Sequence, residues 1–468
     1  MAHARSVCGG SGVTALGRIA QWVTSSPEVT DARRSAATDA FADTLACMIA
    51  GAADVSTRGA LAAASQPDPR ESAMCVDGKL RSPGAAALIN GTAAHALDLD
   101  DNFIGAATHA SAVLVPALLA AARIAGADGA GLLDAYLVGL QVQREIGREL
   151  AAKHYTAGWH ATSTIGPIGG AAAVAHLLEL DARRTAAAMS VAVSTASGLK
   201  LQFGTPVKPV HAGFAARSSV EAALFAEAGV AGRSDILEGE RGFAALYGAP
   251  LADWPTEPVD TSAVHAIEQP GLFPKLYPCC GSTHLAIDAV LDLIREHSFA
   301  AADVAEIVVT VLRPNAANLP YTHPENPTQA KFSMQYALTA ALEGGTVSMT
   351  DFEQEVVRER RSHPLLDKIS VRTWSEEAER IMLDQGRTPH RVEVTLADGR
   401  KLDRQREVAR GAVSEPFAPW EKRRKFSALT GLDDSHYDAI LRLAESPNID
   451  AIDRVLLAAN ETKDEANG

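Results

Sequence analysis

Aromatic side chains are scarce in this 468-residue chain, at 5%, and cysteine is scarcer, with five residues. Cys8, Cys47, Cys75, Cys279 and Cys280 are odd in number and follow no repeating pattern, which argues against a disulfide framework. The adjacent pair lacks zinc-finger spacing, and a reducing cytoplasm is the expected compartment. Positive charge is also short: 43 Lys and Arg stand against 57 Asp and Glu, a formal net charge of −14. An acidic surface disfavours nucleic acid and anionic membranes, so neither is expected as a partner. Long apolar runs are missing too. The stretch 102–122 has no Asp, Glu, Lys or Arg, but Asn102, His109, Ser111 and Pro116 interrupt it, which suits a buried core helix better than a membrane span. Met1 to Arg5 has no apolar run behind it that would serve as a secretory signal. His-Glu-x-x-His, the P-loop and Gly-x-Ser-x-Gly are absent, which removes zincin, P-loop NTPase and common esterase readings. Gly10-Ser11-Gly12-Val13-Thr14-Ala15 looks like a dinucleotide loop but has no strand before it, and is read as a chance match.

What is present is alanine, above all in the first half. Alanine favours helix and lets helices approach closely, so a densely packed helical body is expected. From Ser11 to about Tyr247 the pattern is helix after helix, with Thr30 as a cap before Phe41, Leu45 and Ile49 on one stripe. The spacing predicts helices near 83–97, 110–125, 130–152, 164–178, 182–197, 211–229 and 240–247, and a tight turn at Asp77-Gly78. After Pro250 the character changes. Ser282 caps a predicted helix to Glu296, residues 304–312 read as a β-branched strand, 329–343 as helix, and 391–404 as a hairpin around Asp398-Gly399. The expectation is a mainly α protein: a large all-helical domain over 1–265, joined by C-terminal helices in 413–468, and a smaller α/β (α+β) lid domain over 266–412. The polar end from Glu461 is expected to fray.

Four stretches carry chemistry. The first is His95-Ala96-Leu97-Asp98-Leu99-Asp100-Asp101-Asn102, followed by Thr108-His109. Three carboxylates in four residues at a helix end oppose the helix dipole and are costly unless something uses them. They are read either as a catalytic cluster with His109 nearby or as a solvated acidic loop with Thr108 as a cap. The second is Gly158-Trp159-His160-Ala161-Thr162-Ser163-Thr164, where backbone N–H groups at a helix start suit a carboxylate and His160 suits proton transfer. The competing reading makes Thr162 or Thr164 a plain cap. In the third, prolines on both sides stiffen the backbone around Lys208, with His211 following; a carboxylate anchor and an ordinary turn both fit. The fourth gathers Lys275, Tyr277, Cys279, Cys280 and His284 beside a helix start, a setting that lowers a thiol pKa, or else a structural connection between domains.

In this order and spacing, the stretches resemble the MmgE/PrpD family, which includes 2-methylcitrate dehydratases, cis-aconitate decarboxylases and iminodisuccinate epimerases. The matching phrases are Asn90-Gly91, 95–101, Thr108-His109, Gly158-Trp159-His160, 208–213 and 275–280, with Phe332-Ser333-Met334-Gln335-Tyr336-Ala337 and Leu396-Ala397-Asp398-Gly399 further on. The resemblance implies a cleft between the two domains, a homodimer, no cofactor and no required metal. It assigns Asp98, His109, His160, Lys208 and Lys275 to the active site. Asn102 stands where the decarboxylases have threonine, and Pro278 to His284 replaces the dehydratases' Pro-Ala-Glu-x-His segment.

These readings combine into an expected mechanism for a small di- or tricarboxylate. Lys208, Lys275, Thr162 and Thr164 hold substrate carboxylates, assisted by Asn102, His211, Tyr277 and His284. His109 or His160 moves the proton next to a carboxylate, and the resulting enediolate needs fixed positive charge. Proton return from the opposite face gives epimerisation, loss of a β-hydroxyl gives dehydration, and loss of carbon dioxide gives decarboxylation. Because both better-known motifs depart from their patterns and Cys280 offers a second base, epimerase-like chemistry is the expectation, with hydro-lyase and decarboxylase as alternatives. A non-catalytic binding protein of the same fold is the rival from another class.

Overall fold

A computed structural model describes residues 14–25, 27–64, 72–247, 259–262, 264–385 and 387–467. Cys8, the Met1–Arg5 segment, most of the glycine loop at 10–15 and the change of character at Pro250 lie outside them.

The helices of the first half form where the alanine-rich periodicity places them. Thr30 caps Asp31–Gly51, its hydroxyl accepting from the Arg33 N–H at 3.3 Å. Pro83–His95, Ser111–Ala125, Gly129–Thr156, Gly166–Leu177 and Ala182–Val193 follow within a few residues of expectation. The Asp77-Gly78 turn joins two short strands, β1 (Ala73–Met74) and β2 (Leu80–Arg81). One helix starts earlier than predicted: Val207–Glu227 takes Lys208 and Pro209 into its first turn.

That helix packs most closely against Pro83–His95. A Cβ added at Gly213 would lie 2.3 Å from both the Leu88 carbonyl and the Thr92 hydroxyl, and one at Gly91 would lie 3.0 Å from the Gly213 Cα. Only glycine permits this approach. With the two glycines facing each other, the antiparallel pair brings the end of one helix, His95, to the start of the other, Lys208.

Most buried apolar residues fall into two clusters. The larger runs from Ala15 to Ile267 and is rejoined by Phe426, Tyr437, Ile440, Val455 and neighbours, so the C-terminal helices pack on the helical body. The smaller draws on Phe203 and on residues from Tyr277 to Leu396. Its sheet has the order β4-β3-β5-β6, comprising β3 (Val304–Val311), β4 (Ile369–Thr373), β5 (His390–Leu396) and β6 (Lys401–Arg406). β3 and β4 are parallel, and the other pairs antiparallel. Helix Gly281–His297 covers β5 and β6 and packs on Met334–Gly344. The protein is thus mainly α with a smaller α/β portion.

Several details differ from the sequence reading. Helix Gly281–His297 begins with Cys280 at the N-cap position, not Ser282. The helix predicted at 329–343 is two, Pro327–Ala330 and Met334–Gly344. β4 was not foreseen, because Ile369-Ser370-Val371-Arg372-Thr373 offers only two apolar side chains. The polar end from Glu461 continues helix Asp450–Asn467. Among the described residues, no helix is long and apolar enough to cross a membrane.

Candidate active site

The three carboxylates of the acidic stretch have three different uses. Beyond His95 the chain turns sharply, with Asp98 at φ +53, a left-handed conformation that aspartate tolerates better than most residues. The turn buries its carboxylate between two ammonium groups. Lys275 donates to Asp98 Oδ1 at 2.5 Å and to the Asp98 carbonyl at 2.9 Å. Lys208 lies 3.1 Å from the same Oδ1. Burial alone would push the Asp98 pKa up, but the two lysines overcome it and hold Asp98 well below the usual carboxylate range. Burial likewise opposes the Lys275 charge, yet Asp98 and Asp100 raise its pKa. Asp98 Oδ2 has no hydrogen-bond partner among the described residues.

Asp100 serves the imidazoles. His95 Nδ1 is 2.9 Å from Asp100 Oδ2, and His109 Nδ1 is 3.1 Å from that oxygen. Burial raises Asp100, but His95 and His109 outweigh it and keep it ionised. An ionised carboxylate can only accept, so His95 presents its Nδ1–H to it, whereas His109 Nδ1 lies close without hydrogen-bond geometry. His109 Nε2 lies 4.0 Å from Asp98 Oδ1. Desolvation lowers His109, and it lowers His95 to about 3, so both rings are neutral. Asp101, third in the row, accepts from the Ser111 hydroxyl, which also meets the Tyr136 hydroxyl at 2.7 Å. Burial pushes Asp101 up to about 7.

His160 completes the cluster. Its ring stacks near His95 at 5.8 Å and stands edge-on to Phe203 at 5.0 Å. Its Nδ1 is 3.0 Å from His211 Nδ1, and burial keeps both rings neutral, with His211 at about 4. Above this floor lies a cavity of 660 Å³ whose walls include Asp98, Asn102, His109, His160, Lys208 and Cys280. Asn102 is fixed by a two-way backbone pairing with Phe273, at 2.8 Å each way. Gly281 leaves the Asn102 amide its place, since a Cβ there would lie 2.4 Å from Asn102 Nδ2. Burial raises the Cys280 thiol above its ordinary value, the reverse of the activation expected for a helix start. The thiol is therefore protonated near neutrality.

The remaining sequence candidates are not in the cavity wall, and their polar atoms bond to protein. Thr162 Oγ1 accepts the His109 N–H at 3.0 Å. Thr164 Oγ1 is 2.6 Å from His154 Nε2. The Tyr277 hydroxyl donates to Asp288 at 2.7 Å, and His284 Nε2 lies 3.3 Å from the Cys279 carbonyl. Lys275 sits beneath the wall, reached through Asp98.

Sequence reasoning missed His95 and Asp100 as orienting partners, although both stood in the stretch it singled out. It also missed the polar wall on the α/β side. There Asn315 and Asn318 donate to the Ser282 hydroxyl at 3.3 and 3.1 Å, and the Tyr155 hydroxyl donates to Asn318 at 3.3 Å. No local pattern marks these residues, because they come together only across the two lobes.

His95, Asp98, Asp100 and His109 bring potential ligand atoms within 4.8 Å of one another. Lys208 and Lys275, already on Asp98, oppose a cation there by like charge.

Comparison with known proteins agrees with this architecture. The MmgE/PrpD N-terminal domain model matches residues 17–251, and the MmgE/PrpD C-terminal domain model matches residues 277–446. Relatives include cis-aconitate decarboxylase of Mus musculus, 28% identical over 360 residues, covering 74% of this chain and 71% of that one. The Homo sapiens cis-aconitate decarboxylase is 28% identical over 358 residues, covering 74% and 72%. An Aspergillus terreus cis-aconitate decarboxylase is 25% identical over 374 residues, covering 76% of each chain. The chain belongs to the MmgE/PrpD family, and it is an enzyme of that family.

Proposed function

We propose that this enzyme is a lyase that decarboxylates a small unsaturated tricarboxylate of the cis-aconitate type. One observation carries the reading: two buried lysines, Lys208 and Lys275, converge on Asp98 at a cavity floor that also presents neutral His109 and His160. The bond between the methylene carbon and its carboxylate breaks, and carbon dioxide leaves without the electron pair. That pair moves through the neighbouring double bond onto the carbon next to a second carboxylate, which becomes an enediolate. Fixed ammonium groups in a water-poor site stabilise the added charge. Protonation at that carbon completes the reaction.

In this scheme Lys208 holds a carboxylate with help from Asn102, while Lys275 acts through Asp98. Binding of the anion raises the His109 pKa, so the ring gains a proton and can deliver it to carbon, with Asp100 steadying the imidazolium. His160 or the Cys280 thiol is the alternative donor. A protonated thiol suits proton delivery in either reaction. The named relatives favour decarboxylation over the epimerase reading of the sequence. A homodimer, as the resemblance implies, is part of the same proposal, and light scattering tests it.

The reaction is tested by incubating the purified enzyme with cis-aconitate in heavy water and following carbon dioxide and product by NMR. Release of carbon dioxide, with one deuterium at the carbon next to a carboxylate, is expected. Exchange of the α-hydrogen of a chiral iminodicarboxylate without net reaction, or dehydration of 2-methylcitrate without decarboxylation, would replace the proposal.

A further inference from the structure

The cavity extends well past its charged floor. At 660 Å³ it falls within the range of sites that enclose drug-sized ligands, whereas a six-carbon tricarboxylate places all its charged groups at the polar end. Away from the floor the wall includes Leu285, Val408, Ala412 and Val413 together with His390, with Thr388, Glu407 and Ser414 as polar neighbours. Val408 and Val413 are 37% and 52% exposed, and Ile104 at the rim is 67% exposed. Apolar side chains left open around a cavity mark a place for apolar ligand atoms.

His390 is the polar exception on its strand. It heads β5, whose other inward positions are Val392, Val394 and Leu396, so the two-residue period calls for an apolar side chain. An imidazole stands there instead, 1% exposed, with Nδ1 buried and lacking a hydrogen-bond partner among the described residues. An unpaired buried polar atom is costly, so such positions are filled where a partner arrives. Burial lowers its pKa to about 3, so the ring is neutral, and a hydroxyl or carbonyl oxygen is able to pair with it without bringing a charge into this part of the cavity.

We propose that this end of the cavity is a subsite for an alkyl arm of the substrate, longer than a methyl group and bearing a hydroxyl or carbonyl oxygen that meets His390 Nδ1. The inference rests on the reading of the floor as the carboxylate site. It makes the preferred substrate a chain-bearing polycarboxylate, with the reacting carboxylates at Lys208 and the arm lying toward Leu285 and Val413.

The test compares kcat/KM for cis-aconitate with that for analogues carrying unbranched propyl and pentyl groups on the methylene carbon, with and without a terminal hydroxyl. Each buried methylene is expected to raise kcat/KM about fourfold. Val413→Trp should bring the long-to-short ratio toward unity, with Leu285→Phe as a second filling variant should the first misfold. His390→Leu should remove the advantage of the hydroxyl while keeping that of the chain. If the parent acid is decarboxylated and the ratio is flat or falls with chain length, the arm subsite is refuted and the decarboxylase reading stands. If no acid is decarboxylated, that reading falls, and calorimetry with unreactive alkylsuccinates decides the subsite. Binding that tightens with chain length and loses the trend in Val413→Trp upholds it; binding without the trend overturns it.

Discussion

Replacing Lys275 by methionine separates what this side chain does for the fold from what it does for the reaction. Its ammonium is fully buried and donates to both the Asp98 carboxylate and the Asp98 carbonyl. Breaking a buried ion pair by removing one partner costs about 3–5 kcal/mol. Lys208 remains on the same oxygen, so the lower end, about 3 kcal/mol, is expected. The catalytic loss is a separate quantity. Lys275 acts on the developing charge through Asp98, so its removal is expected to cost less than the roughly 10²–10³ in kcat of removing a group in direct contact with an oxyanion, but more than about tenfold. Thermal unfolding reads the first effect, and carbon dioxide release under saturating substrate reads the second. Adding Asp98→Asn leaves the buried Lys208 ammonium without its carboxylate, so neither the stability nor the rate should recover. A well-folded Lys275→Met enzyme with a nearly unchanged kcat would refute the reasoning, and so would a double variant that regained both.

Other outcomes follow from the same geometry. His160→Ala should lower kcat at least about a hundredfold if its imidazole moves a proton; an unchanged rate in the folded variant removes it from the chemistry. Gly213→Ala forces a Cβ to within 2.3 Å of the Leu88 carbonyl, and overpacking of that kind costs about 1–3 kcal/mol, measurable in urea unfolding. A midpoint equal to the parent's would mean that the two helices can separate freely. Acid should destabilise the protein. Burial holds His95 and His284 at about 3, and His211 and His265 at about 4, so below the ordinary histidine value the unfolded chain binds protons that the folded one refuses. Stability is therefore full above about pH 6.5 and falls toward pH 4 by roughly 1.4 kcal/mol per unit for each group. Asp101, raised to about 7, binds its proton first in the folded state and offsets one of the four. Denaturation midpoints that rise between pH 6.5 and 5 would contradict this sign.

Helix positions were legible along the chain because they follow from local periodicity and capping: Thr30, the alanine-rich runs and the Asp77-Gly78 turn all speak within a few residues. The cavity-lining residues Asp98, His109, His160 and Lys208 were legible for a different reason. Charged and ionisable groups in alanine-rich surroundings are conspicuous, and their order along the chain matched a known family. β4 and the polar wall from Tyr155 to Asn318 left no such trace, because their partners are distant in sequence.

By itself, the sequence determined a mainly helical, acidic chain with lysines and histidines available for an anionic substrate, since composition and local spacing carry that information. Tertiary structure alone decided how those groups are used. The approach of Gly91 to Gly213 sets His95 beside Lys208, and the left-handed turn at Asp98 feeds one carboxylate to two lysines from separate segments. Burial then keeps the Cys280 thiol protonated where its place at a helix start suggested activation, because desolvation is a property of the surroundings and not of the neighbouring residues in the chain.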